Sequence, residues 1–160
     1  METLVHNEAR IHTASFSRFG ACSFSDEEVL SFPWGLPGFP ELRRFVALQV
    51  ADQDRFVWLQ SLDNEKVAIP MVDPWSIYDD YEPRLPQYAQ SALDIRTAEE
   101  FAVYAVVVVT GQAHEMTVNL LAPVVINLRT RIGRQVPLEN QAYAIRTPVP
   151  RKGAGEALAS

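Results

Sequence analysis

"EMTVNLLAPVVINLRTRIGRQV", residues 115–136, is the stretch on which the fold turns. Its even positions Val118, Leu120, Ala122, Val124, Ile126 and Leu128 are all apolar, whereas the odd positions mix Thr117, Asn119, Leu121, Pro123, Val125, Asn127, Arg129 and Arg131. Side chains alternate across a strand, so the even set predicts a core-facing surface and the odd set a face that meets water or partners. Asn is disfavoured in strands, and a buried amide needs partners at both ends, since an unpaired polar group costs about 1–3 kcal/mol. Asn119 and Asn127 are therefore either latches tying a neighbouring loop or bulge to the sheet, or recognition groups. Pro123 predicts a kink or bulge where the strand turns between parts of a barrel. Beyond it Arg129, Arg131 and Arg134 leave as a basic rim.

Outward from that stretch the chain continues in short strand-like runs: "ASFSRFGACSF", "RFVALQV", "RFVWLQSL", "KVAIPMV", "EFAVYAVVVVT", "RQVPL" and "AYAIRT". Turn signals such as "GLPGFPE", "ADQD", "LDNE" and "TGQAHE" separate them. The pattern predicts an all-β fold, a single-domain antiparallel β-barrel-like structure with one or two short helices. "FAVYAVVVVT" is apolar on both parities and belongs at the centre, covered on both faces. "RQVPL" holds Pro137 and belongs on an edge or at a bulge. Ser25 with Glu28, and Thr97 with Glu100, have the spacing of capping boxes. The irregular "PWSIYDDYEPRLPQYAQSALDI" has room for one or two helical turns, interrupted by Pro83 and Pro86. Residues 1–14 and 151–160 read as tails flanking a domain over 15–150.

With 160 residues, 48% of them hydrophobic and 21% charged, the chain suits one ordinary globular domain. It shows neither a leader pattern nor a membrane-length apolar run, so a cytoplasmic protein without membrane contact is expected. The single cysteine, Cys22, rules out an internal disulfide framework, and His6, His12 and His114 form no ligand cluster; neither a metal nor a cofactor is expected. The net charge of -6 is unevenly spread. Residues 52–100 carry eleven acids against four bases, and residues 129–152 carry six bases against one acid. An acidic middle repels phosphates, which argues against direct nucleic-acid binding and for a basic protein partner or a merely solvated surface.

Catalytic signatures are missing: the sequence has no G-x-S-x-G elbow, P-loop, G-x-G-x-x-G or H-E-x-x-H. His114 sits in a turn-like segment and Cys22 in a strand-like one, places that suit an idle imidazole and a structural thiol. No enzyme is expected, and no small-molecule substrate. In "FPWGLPGFPELRRF", Gly35 and Gly38 can take positive φ while the prolines fix their own, so Gly35, Leu36, Pro37, Gly38 and Phe39 form a rigid loop. Such a loop either plugs a barrel end, with Leu36 and Phe39 inward and Trp34 partly exposed, or presents a surface.

Taken together, "FPWGLPGF", "WLQSLD", "VDPW…YDDYEP", "MTVNLLAPVVINLRTRIGRQVPL" and "YAIRTP" resemble the FliW family of flagellar assembly factors over nearly the whole core. Trp34, where an acidic residue is common in that family, and Pro70, in a run usually all apolar, depart from its pattern, as does a longer basic C-terminus. The resemblance implies a regulator with two protein partners. One is CsrA, a basic RNA-binding repressor of flagellin translation; the other is flagellin, whose export frees the factor to sequester CsrA. It further implies a partner-binding face, for which the candidates are Asp63, Glu65, Asp79, Asp80 and Glu82 as charges and Tyr78 and Tyr81 as anchors. Gln60 and Ser61 either pair a partner's backbone or satisfy a turn. A flagellin-binding chaperone without CsrA antagonism and a small-ligand barrel or enzyme are the competing readings; the last requires a polar pocket inside the barrel.

Overall fold

A computed structural model describes residues 10–49, 55–110, 115–139 and 142–149. The ten-residue strand Phe101–Thr110 organises it, and the other strands are numbered around it in chain order. They are β1 (Ile11–Phe16), β2 (Gly20–Ser25), β3 (Leu30–Ser31), β4 (Arg44–Leu48), β5 (Val57–Ser61), β6 (Ala68–Val72), β7 (Phe101–Thr110), β8 (Glu115–Val118), β9 (Val124–Asn127), β10 (Ile132–Gln135) and β11 (Thr147–Pro148). One α-helix, α1 (Gln87–Ala92), and three single 3-10 turns complete the described elements.

Strands β7-β6-β5-β4-β3-β10-β9 pair in that order, and β9 pairs back to β7, which closes a seven-stranded ring. All of its pairings are antiparallel except β3–β10, which is parallel and rests on Ser31 opposite Ile132. The barrel expectation therefore holds, with one parallel seam. β7 is long enough to serve twice along one edge: residues 101–104 pair with β9 and residues 107–110 with β8, which carries β11 on its far side. Between those pairings, residues 119–123 oppose only residues 105–106, an excess of three. The stretch foreseen as one strand with a kink or bulge at Pro123 is thus two strands, whose three extra residues bulge out ahead of Pro123.

Directly paired residues share a face, so the ladder registers sort the core into two layers. Phe32, Phe45, Leu59, Met71 and Val124, each 0% exposed, fill the ring. Among the described residues, these apolar side chains occupy the interior where the small-ligand reading requires a polar pocket. The outward face of β6, β7 and β9 supplies Val72, Val103, Ala105 and Val125, which residues 73–100 cover with Tyr81, Ala89 and Leu93. This double cover explains why β9 is buried at both parities, Val125 as fully as Val124, contrary to the mixed odd face expected. Leu128, expected in the core, is 47% exposed because the chain turns away after Asn127.

The N-terminal strands form a separate hairpin that lays Phe16 and Phe24 over Val46 of β4. Ile11 to Ala14 thus belong to a strand rather than to a tail, and "ASFSRFGACSF" is two strands joined at Gly20, where φ is +70°. Residues 1–9 and 151–160, and with them His6 and most of both predicted tails, lie outside the described residues, as do His114, Asp52 and Asp54. The capping pattern at Ser25 is real: Glu28 accepts a hydrogen bond from the Ser25 N–H at 2.8 Å. The one at Thr97 is not, since Glu100 reaches past it to the N–H of Arg96 at 3.2 Å. Pro137 falls after β10, and Pro70 precedes the point where β6 joins β7 at Met71, so neither has to donate to that ladder.

Candidate functional site

Residues 73–82 leave β6 through a tight turn that their own side chains build. The Asp73 carboxylate accepts from the Trp75 N–H at 3.0 Å, and Pro74 opens a 3-10 turn whose carbonyl takes the N–H groups of Ile77 and Tyr78. Aromatic side chains then rivet the segment to distant chain. The Tyr81 hydroxyl donates to the Leu120 carbonyl at 2.7 Å, and the Tyr78 hydroxyl to the Pro148 carbonyl at 2.6 Å. Trp75 Nε1 donates to the Tyr81 carbonyl at 2.8 Å, and the Tyr143 hydroxyl accepts from the Glu82 N–H at 2.8 Å. Tyr81 packs edge-on to Tyr143, with ring centroids 4.8 Å apart. Burial first, and the neighbouring Tyr143 second, push the Tyr81 hydroxyl far above its ordinary value, so it stays a neutral donor.

Asp79, Asp80 and Glu82 stand exposed on this pinned backbone, and no ion pair engages them among the described residues. Most other acids here are already answered. Arg129 donates to the Asp94 carboxylate at 3.0 Å and lies 3.6 Å from Glu100, while Arg96 reaches Asp94 at 3.3 Å. The hydrogen bond from Arg129, then the charge of Arg96, hold the Asp94 carboxyl below its usual range. One member of the basic rim is therefore neutralised within the fold.

The predicted face does not come together as one patch. Asp63 and Glu65 lie in the β5–β6 turn and residues 73–82 leave the other end of β6, separated by roughly 17 Å of strand. Asp63 is a staple: its carboxylate accepts from the N–H groups of Arg43 at 2.7 Å and Arg44 at 3.0 Å. Gln60 and Ser61, both 0% exposed, and Tyr81, 3% exposed, cannot meet a partner and are withdrawn from the face. Ser61 Oγ instead accepts from the N–H groups of Asp63 and Asn64, and Gln60 Nε2 donates to the carbonyls of Ser61, Glu65 and Val67, so the pair satisfies a turn. Glu65 is exposed and Tyr78 half-buried. Sequence reasoning passed over Trp75 and Tyr143, because only their hydrogen bonds to Tyr81 and Glu82 reveal them as rivets.

Both asparagines proved to be latches. Asn119 Oδ1 accepts from the N–H groups of Leu121 and Ala122 and shapes the bulge. Asn127, 0% exposed, donates to the Leu93 and Asp94 carbonyls and accepts from the N–H groups of Arg129 and Thr130. In the aromatic loop, Leu36 and Phe39 flank Pro37 and Gly38; Phe39 N–H returns to the Leu36 carbonyl at 2.8 Å, and Gly38 has φ +86°. Proline followed by a positive-φ glycine is a type II turn. Leu36 is 5% exposed and Trp34 45%, as the plug reading expects.

The ring is filled, and charges with no ion pair among the described residues stand outside it with half-exposed aromatics. A model of the FliW protein family matches residues 13–149. The chain is 35% identical over 130 residues to the flagellar assembly factor FliW of Clostridium tetani, covering 81% of this chain and 90% of that protein. It is 38% identical over 128 residues to the one from Caldicellulosiruptor saccharolyticus, covering 80% and 84%. A crystal structure of the flagellar assembly factor FliW superposes with a TM-score of 0.80 at 29% identity, covering 88% of this chain and 99% of that one. The chain belongs to the FliW family of flagellar assembly factors. Among the described residues no helix is long and apolar enough to cross a membrane.

Proposed function

We propose that this flagellar assembly factor is a cytoplasmic partner switch: it binds CsrA and flagellin in competition, so that exported flagellin leaves it free to relieve CsrA repression of flagellin translation. The observation that supports the reading is the strip Asp79, Asp80 and Glu82, exposed and without an ion pair among the described residues, on a backbone riveted by Tyr78, Tyr81 and Tyr143. Fixed charges steer a basic partner and raise its association rate without an ordering cost at the moment of contact, and they disfavour RNA phosphate nearby. Tyr78 and the half-exposed Trp75 supply aromatic surface beside the strip.

The test is titration calorimetry against CsrA, repeated with flagellin prebound, on the wild type and on the triple variant Asp79→Lys, Asp80→Lys, Glu82→Lys. The expected outcome is CsrA binding that flagellin abolishes and that charge reversal weakens by about ten-fold or more at low salt. Binding of flagellin alone, with none of CsrA, assigns the chaperone role instead. CsrA binding untouched by charge reversal removes the acidic strip from the mechanism.

A further inference from the structure

We propose that Trp34, Arg134 and Tyr88 form a second docking site, which takes an extended peptide segment by one acidic side chain set among apolar neighbours. The Arg134 guanidinium carbon lies 4.5 Å from the Trp34 ring centre and 5.2 Å from that of Tyr88. The rings are 45% and 50% exposed, the cost of which the core does not recover. Rings take the face of a guanidinium, while its N–H donors point outward in the plane, where they match a carboxylate in bidentate fashion.

The charge is unanswered. Arg129 is held by Asp94 and Glu100, and Arg131 points to the Glu28 carbonyl. Arg134 has neither a carboxylate nor a hydrogen-bond acceptor among the described residues. The site is also preset. Gly133 beside Arg134 is so tightly packed that a Cβ there would stand 2.5 Å from the Phe32 ring, and the type II turn fixes the loop carrying Trp34. An open hollow of about 340 Å³ adjoins the stack, floored by Pro37, Gly38 and Pro40 with Gln135 at its side. It has room for one or two side chains.

One cation between apolar rings, on a molecule of net charge -6, selects a single carboxylate over a polyanion. The hollow sets Trp34, Pro37 and Pro40 beside Arg134 and Gln135, so it takes a small neighbour of that carboxylate against the prolines and leaves polar groups for the peptide backbone. None of these residues belongs to the acidic strip, so the two sites can be altered separately by substitution.

The experiment is ¹⁵N NMR on the full chain, following the Trp34 indole N–H and the Arg134 Nε–H during titration with acetyl-Ala-Leu-Asp-Leu-Ala-amide and with its Asn counterpart. The expected result is a saturable shift of both signals by the Asp peptide, about five-fold weaker or more with the Asn peptide. The shift is lost in Arg134→Gln, weakened in Arg134→Lys, which keeps the charge without the fork, and unchanged in the Asp79/Asp80/Glu82 charge-reversal variant. Equal binding of the Asp and Asn peptides, or full binding by Arg134→Gln, overturns the proposal. So does a shift of the same signals on raising the concentration of the protein alone, which assigns the site to a second copy of the chain.

Discussion

Replacing Asn127 with Ala removes four hydrogen bonds at once. The amide nitrogen donates to the Leu93 carbonyl at 2.7 Å and to that of Asp94 at 3.2 Å, just past the end of α1. The amide oxygen accepts from the N–H groups of Arg129 at 2.8 Å and Thr130 at 3.1 Å, turning the chain out of β9. The Leu93 carbonyl is left dry, at a cost of about 1–2 kcal/mol, while the other three groups lie near enough to the surface to regain water at about 0.5 kcal/mol each. The total, about 3 kcal/mol, is a sizeable share of the roughly 5–15 kcal/mol that holds a domain folded. Urea unfolding followed by circular dichroism is expected to show that loss at unchanged m-value, with Tm lower by about 10 °C. Asn127→Asp sharpens the test. A buried carboxyl there has a folded pKa above its unfolded value, so it is tolerated when protonated and donating to Leu93, and its stability falls as pH rises past about 4. A loss below about 1 kcal/mol for Ala refutes the claim that this amide joins α1 to the ring.

Asp63 gives a prediction with the opposite pH sense. Burial by itself raises its pKa, but the N–H groups of Arg43 and Arg44 and the charge of Arg44 outweigh burial, and the net shift is downward from 3.8. A lowered folded pKa means that the stabilisation is complete above the unfolded value and is lost as pH falls through the folded one. Asp63→Ala is expected to cost about 1–2 kcal/mol at pH 7, a difference from wild type that shrinks below pH ~3.8; urea titrations at pH 7 and pH 3 decide, and an equal difference at both refutes it. At Gly35, φ is +67° and an added Cβ would stand 2.6 Å from the Pro40 carbonyl oxygen, whereas at Gly38 φ is +86° with nothing within 4 Å. Gly35→Ala should therefore lower Tm well beyond the effect of Gly38→Ala, which carries only the conformational cost of about 1 kcal/mol; equal shifts would show that the contact with Pro40 is easily relieved.

The barrel was legible because it rests on short-range signals. Alternation at Val118, Val124 and Ile126, the Pro37-Gly38 turn and the doubly apolar β7 each state their environment within a few residues. Those signals stop where cover comes from far along the chain. Val125 is buried because residues 73–100 lie over it, and no pattern local to β9 contains that fact. The same limit governed the site. Gln60 and Ser61 offer the same polar groups to a partner or to a turn, and only the packing around β5 decides. Tyr81 sits among Asp79, Asp80 and Glu82, yet its side chain runs inward to Leu120, 39 residues away in sequence. The latch reading of Asn119 and Asn127 was available from the chemistry of a buried amide alone.

The parallel seam of the ring has a consequence for how the protein is made. β4, β5 and β6 each find their neighbour within a few tens of residues, but Ser31 of β3 waits for Ile132 of β10, 101 residues later in the sequence. At a synthesis rate of roughly 5–20 residues per second, the outer edge of β3 stays bare for about 5–20 s after it leaves the ribosome. Only two residues long, β3 offers a passing chain little to pair with during that interval.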